Sequence, residues 1–231
     1  IFKNQPTTVE FRKSDLTTGV ELDGATLTVL DKDENEIDKW TSVKGEPHII
    51  KRLHVGETYI LREEFAPYGY LKAEEVEFTI TDTAEIQKVE MKDDVPIGRI
   101  IINKKGEFLS EVSWNDMVAG AMDSIWGYVT GSLKDVTFEI YAREDIKAAD
   151  GESDDYYKKD ELVATIKTDE LGIARTDDLP LGKYYVVEKE TADGFVLDGE
   201  AKDIDLTYRD QDTPVVTFDR SEERRVGKEC R

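Results

Sequence analysis

The strongest constraint on this chain is an internal repeat. Leu22-Asp23-Gly24-Ala25-Thr26-Leu27-Thr28-Val29 aligns with Leu133-Lys134-Asp135-Val136-Thr137-Phe138-Glu139-Ile140, and Leu53-His54-Val55-Gly56 with Leu179-Pro180-Leu181-Gly182. Next comes Tyr-x-aliphatic-x-Glu in both copies: Tyr59, Leu61 and Glu63, then Tyr184, Val186 and Glu188. Each copy closes on a turn and an aromatic, Pro67-Tyr68-Gly69-Tyr70 and Ala192-Asp193-Gly194-Phe195. Similarity kept in order and spacing over this length means one structural unit used twice. A chain of 231 residues is long enough for two such units, each with its own core.

Within each copy the apolar residues alternate with period two, as in Val9/Phe11, Leu27/Val29, Val76/Phe78/Ile80 and Ile100/Ile102. Polar clusters such as Asp31-Lys32-Asp33-Glu34-Asn35 and Asp150-Gly151-Glu152 cut these runs into short strands. The pattern predicts an all-β chain of two tandem immunoglobulin-like β-sandwich domains, with about seven strands each. The expected boundaries are 6–97 for the first domain and 98–219 for the second. Residues 1–5 read as the last strand of a preceding domain. The second copy carries an insertion, 107–132, in which Met117, Val118, Ala121, Met122, Ile125, Trp126 and Val129 fall at helical spacing. A short helix is expected there, although Gly120 and Gly127 weaken it. Residues 143–159 read as a polar surface loop with a turn of helix.

Charge narrows the partners. A net charge of −21 argues against nucleic acid and against anionic membrane surfaces, and its plain meaning is solubility. No apolar run is long enough to span a bilayer as a helix. The single cysteine, Cys230, rules out an internal disulfide. Two readings stay open: a reducing compartment, or an exported protein with another kind of staple. Residues 220–231, Arg-rich in an acidic chain, read as a non-native tail resembling translated adapter sequence.

Three pieces together resemble the Cna protein B-type domain, also called SpaA-type or prealbumin-like, of Gram-positive surface proteins and pilins. They are a first strand ending in Lys (Phe11-Arg12-Lys13-Ser14-Asp15), the Leu-x-Gly-Ala strand, and the family's E-box, here Tyr59-Ile60-Leu61-Arg62-Glu63-Glu64-Phe65-Ala66-Pro67-Tyr68-Gly69-Tyr70. The resemblance covers residues 8–219. In the second copy Ala192 replaces the proline and Phe195 the tyrosine, so the match is looser there.

The resemblance implies prealbumin-like sandwiches and a self-formed isopeptide bond. In such domains the strand Lys attacks an Asn or Asp side chain on the last strand, with the E-box Glu beside it. Burial favours uncharged forms of both amine and acid, so the amine can act as nucleophile and the Glu can polarise the acceptor and shuttle the proton. Alternation puts Lys13 on the face of Val9 and Phe11, and Lys104 on the face of Ile100 and Ile102. Glu63 and Glu188 likewise continue the faces of their strands. Taken alone, an inward Lys or Glu is as often a strand end reaching solvent; the coincidence in both copies favours reactivity.

Val89, Met91 and Asp93 alternate before Pro96, which makes Asp93 the expected acceptor and Asp94 its neighbour. Asn4 has the same setting in the preceding strand. In the second copy Val216 and Phe218 point to position 220, which is Arg220. Either the natural acceptor is missing or Asp219 serves in a shifted register.

Rival motifs are weak. The Asp31–Asn35 stretch resembles a calcium loop, but Glu36 and Ser42 stand where that loop needs Gly and a bidentate Glu. Glu63 and Glu64 point to opposite strand faces and cannot flank one glycosidic bond. His48 and His54 lack ligand companions. No cofactor, metal or turnover enzyme is expected. The reading is a structural segment of an extracellular, wall-attached adhesin or pilin, partnered by neighbouring domains of its own chain. The alternative is a module that binds host protein or glycan through 107–132 and its tryptophans.

Overall fold

The computed structural model describes residues 5–110 and 127–223. Asn4, the stretch holding Trp114 and Trp126, and Cys230 lie outside the described residues, as does most of the expected helix. The chain forms two compact units. The first takes in the described residues up to Ile97 with Lys147–Tyr156 and Tyr208–Val216, and the second takes in Gly98–Ile146, Tyr157–Thr207 and the residues from Thr217.

All regular elements among the described residues are strands. In the first unit, β1 (Thr8–Asp15), β2 (Thr26–Leu30), β3 (Glu36–Thr41), β4 (His48–Lys51), β5 (Thr58–Phe65), β6 (Val76–Thr79) and β7 (Ile86–Asp93) form two sheets. One has the order β4-β1-β7, the other β3-β2-β5-β6. Period-two alternation supplies the core: Val9, Phe11, Val89 and Met91 from the first sheet face Leu27, Val29, Tyr59 and Leu61 from the second. Phe11 anchors the middle, its ring 5.3 Å from those of both Trp40 and Phe78. The strand β1 runs parallel to β7 with Lys13 opposite Met91 and Asp15 opposite Asp93.

The Asp31–Asn35 turn is tied by the Asp31 carboxylate, which accepts from the backbone N–H groups of Asp33 and Asn35. It is a polar hairpin turn, and no metal-holding cluster of acidic, His or Cys residues occurs among the described residues.

The second unit repeats the plan with β8 (Ile97–Ser110), β9 (Gly127–Ser132), β10 (Thr137–Ala142), β11 (Leu162–Lys167), β12 (Ile173–Arg175), β13 (Leu179–Pro180), β14 (Gly182–Glu190), β15 (Lys202–Leu206) and β16 (Val215–Glu223). One sheet has the order β11-β10-β14-β15; in the other β8 pairs with β9, β12, β13 and β16.

Two local expectations are corrected. The insertion's ends are strands: β8 and β9 pair antiparallel from Lys105↔Ser132 to Ser110↔Gly127, so Val129 is a strand residue opposite Phe108. Residues 143–159 hold an isolated bridge, Ile146↔Tyr157, in place of a helical turn. Residues 220–223 continue β16 beside β8. Backbone pairing does not depend on side-chain alternation, so the strand runs on into this Arg-rich stretch.

Candidate functional site

The alternation in β1, β5 and β7 ends, in each strand, on a charged residue that faces the core. Lys13, Glu63 and Asp93 are all buried, with side chains fully shielded from solvent for Lys13, Glu63 and Asp93 alike. Two of them come from the β4-β1-β7 sheet and Glu63 from the facing sheet, so the cluster spans the sandwich. Lys13 Nζ lies 2.9 Å from Glu63 Oε1 and donates to Asp93 Oδ1. Glu63 is held in place by the Ala73 backbone N–H, which donates to Oε2 at 2.7 Å.

The electrostatics follow from one cation facing two carboxyls, all shielded from solvent. Burial pushes the Asp93 carboxyl up to about 7; Lys13 opposes this, and Glu63, by its charge and its hydrogen bond to Asp93, adds to the rise. Asp93 Oδ2 finds no donor among the described residues. With its carboxyl raised toward the neutral form, Asp93 can carry a proton on that oxygen, and the cluster of one amine and two carboxyls is then neutral overall.

A local irregularity aims Glu63. Leu27 pairs with Glu63 while Thr26 pairs with Phe65, which leaves Glu64 as the extra residue of a β-bulge. The second unit repeats this: Phe138 pairs with Glu188, Thr137 with Glu190, and Lys189 is the extra residue. Bulges re-aim side chains and end regular pairing, and here each directly follows the buried Glu. Period-two reading cannot reveal an inserted residue that the partner strand alone defines.

In the second unit Lys104 Nζ lies 2.8 Å from Glu188 Oε2, and both are buried. Asp219 is not brought to them. It is exposed and accepts a hydrogen bond from Asn103 Nδ2 at 2.8 Å, on the opposite face of β8 from Lys104. Asp94 also stays out of the cluster, being exposed and bonded to the N–H of Val95.

Sequence reasoning did not single out Asp15 as a partner of Tyr70. The Tyr70 hydroxyl donates to Asp15 Oδ2 at 2.8 Å in the buried interior. Burial, with Asp15 beside it, drives the phenol above its ordinary range, so it remains a donor. The signal was the aromatic that closes each repeat, whose hydroxyl is present only in the first.

Two sandwiches, one with a buried Lys–Glu–Asp cluster across its sheets, define a class of tandem β-domains. The family model for the SpaA prealbumin-like fold domain matches residues 7–95 and 128–222, and the chain belongs to that family. No curated protein matches the chain. Among solved structures, the Bacillus anthracis TIE protein is similar, at 23% identity and a TM-score of 0.55 over 94% of this chain and 34% of that one. The chain thus spans about a third of that protein's length. Also similar are a streptococcal ancillary pilin (14% identity, TM-score 0.36, 94% of this chain and 63% of that one) and BcpA, the major pilin subunit of Bacillus cereus (12%, 0.37, 94% and 99%).

Proposed function

We propose that the chain is a structural segment of a cell-surface adhesin or pilin-like protein, and that its first domain staples itself with an amide between Lys13 and Asp93. The observation that carries this reading is the contact of Lys13 Nζ with both carboxyls in a core shielded from solvent. A structural ion pair would need no second acid there, and a buried ion pair with a further acid beside it is costly. Conversion to a neutral amide removes that cost.

The step balances without a co-reactant. The neutral cluster carries three protons on Nζ and one on the Asp93 carboxyl. Transfer of one proton from Nζ to a carboxylate leaves an amine and two carboxylic acids. The Nζ lone pair attacks the Asp93 carbonyl carbon while Glu63 donates a hydrogen bond to its oxygen. A proton from nitrogen passes through Glu63 to the Asp93 hydroxyl, the C–O bond breaks and water leaves. The product is one amide and a protonated Glu63. This is one intramolecular turnover, and Glu63 is the catalytic residue.

The second domain keeps Lys104 and Glu188, but with Asp219 outward and Arg220 next to it we propose that it does not close a bond. Intact mass therefore tests both statements: the chain is expected to be lighter than its sequence by one water, with fragment ions joining Lys13 to Asp93. A mass equal to the sequence overturns the crosslink, and a loss of two leaving groups overturns the restriction to the first domain. Cell-wall attachment and partnership with neighbouring domains of the same chain belong to this proposal.

A further inference from the structure

Residues 70–73 touch all three strands that carry the cluster. The Tyr70 hydroxyl donates to Asp15 at the end of β1, the Leu71 N–H to the Asp94 carbonyl after β7 (2.8 Å), and the Ala73 N–H to Glu63 on β5 (2.7 Å). The end of β1 in turn grips the acceptor: Asp15 lies opposite Asp93, and the Leu16 N–H donates to the Asp93 carbonyl at 2.8 Å. Asp15 Oδ1 accepts from the N–H groups of Thr17 and Thr18, so both carboxylate oxygens are engaged.

The second repeat supplies an internal comparison. By the alignment of the copies, Gly106 stands where Asp15 does and Phe195 where Tyr70 does. Both members of the pair change together. A Cβ on Gly106 would clash with the Phe195 ring and crowd Leu133, so the ring there fills the space of the missing side chain. The turn itself is the same: the Tyr70 N–H bonds to the Pro67 carbonyl and the Phe195 N–H to the Ala192 carbonyl, each at 3.1 Å, with Gly69 and Gly194 in the left-handed region. The polar pair therefore belongs to the domain with a complete cluster, and a packed Phe–Gly pair replaces it in the domain whose Asp219 faces outward.

We infer that Tyr70 and Asp15 are positioning residues for the Lys13–Asp93 crosslink, fixing the end of β1 and the 70–73 segment so that Nζ, the acceptor carbon and Glu63 meet. This inference rests on the crosslink reading above. Reacting groups must be held close to their reactive geometry, and small misplacements slow such steps strongly.

The test follows crosslinking as it happens. The whole chain is made by cell-free synthesis, samples are quenched in acid denaturant at intervals, and intact mass gives the fraction that has lost water. Tyr70→Phe removes one hydroxyl and is expected to slow the loss about tenfold while still reaching completion. Asp15→Asn keeps one oxygen for the Thr17 and Thr18 N–H groups and turns an amide N–H toward the phenol oxygen, which accepts it, and is expected to react at close to the parent rate. Folding is read separately in the Lys13→Ala background, where Tyr70→Phe leaves a buried Asp15 oxygen unpaired and is expected to speed unfolding while leaving the folding rate within about twofold. Equal rates for Tyr70→Phe and the parent chain overturn the inference and leave the crosslink standing. A folding rate slowed as much as crosslinking also overturns it, because the pair is then only structural. If the parent chain never loses water, the crosslink reading falls and this inference with it.

Discussion

At the scale of single residues, the titration of Asp93 sets the charge of the cluster. Its carboxyl, raised to about 7 chiefly by burial, keeps its proton below that pH and loses it above. The reactive arrangement has the same proton count as the neutral cluster, so crosslinking is expected to be independent of pH from about 5 to 7. Above that range the rate is expected to fall, approaching tenfold per unit, because the missing proton must be recovered. Timed intact mass across buffers checks this; a rate that rises through pH 7 to 9 would contradict the proton assignment. Glu63→Gln retains size but cannot shuttle a proton, and is expected to leave the mass at its uncrosslinked value after overnight incubation. Alternation alone indicated the inward faces of Lys13 and Glu63, because strand side chains obey a local rule. It could not indicate the Ala73 N–H that holds Glu63, since that contact crosses a loop.

At the scale of elements, the two sheets meet through large apolar side chains that also set the depth of the cluster. Leu61 is fully buried two residues before Glu63 on β5. In the Lys13→Ala background, Leu61→Ala is expected to cost about 3 kcal/mol of stability by urea titration, the usual range for a buried leucine. The bulges after Glu63 and Glu188 occupy equivalent places, so they are part of the repeated unit although no single residue type marks them. The ribbon of β8 and β9 was hidden for a related reason. Its residues Glu107, Phe108 and Val129 show no clean alternation across the gap between them, and Val129 also fits a helical spacing. Pairing with the partner strand decided the conformation.

At the scale of the whole molecule, the proposed bond joins residues 80 positions apart. A crosslink closing a loop of that size removes entropy from the unfolded chain worth about 4.5 kcal/mol. Lys13→Ala is accordingly expected to lower the melting temperature of the first domain by roughly 20–30 °C and to speed its proteolysis. An unchanged melting temperature would remove the basis of the structural reading. The second domain offers the complementary experiment. Arg220→Asn places an acceptor on the face to which Val216 and Phe218 point, and is expected to add a second loss, of ammonia, to the intact mass. Asp219→Ala, on the outer face, is expected to change nothing.

The repeat, the strand-only character and the inward faces of the Lys and Glu residues could be read from the chain because each depends on residues a few positions apart. Which of these residues meet was legible only as what the family resemblance implies. Lys13 and Asp93 are brought together by parallel pairing of β1 with β7, Glu63 reaches them from the opposite sheet, and Asp219 lies on the outer side of β8 beside Asn103. Parallel pairing, sheet packing and bulges are set by contacts between segments distant in sequence, so only the tertiary structure puts Lys13 beside Asp93 and leaves Asp219 on the outer face.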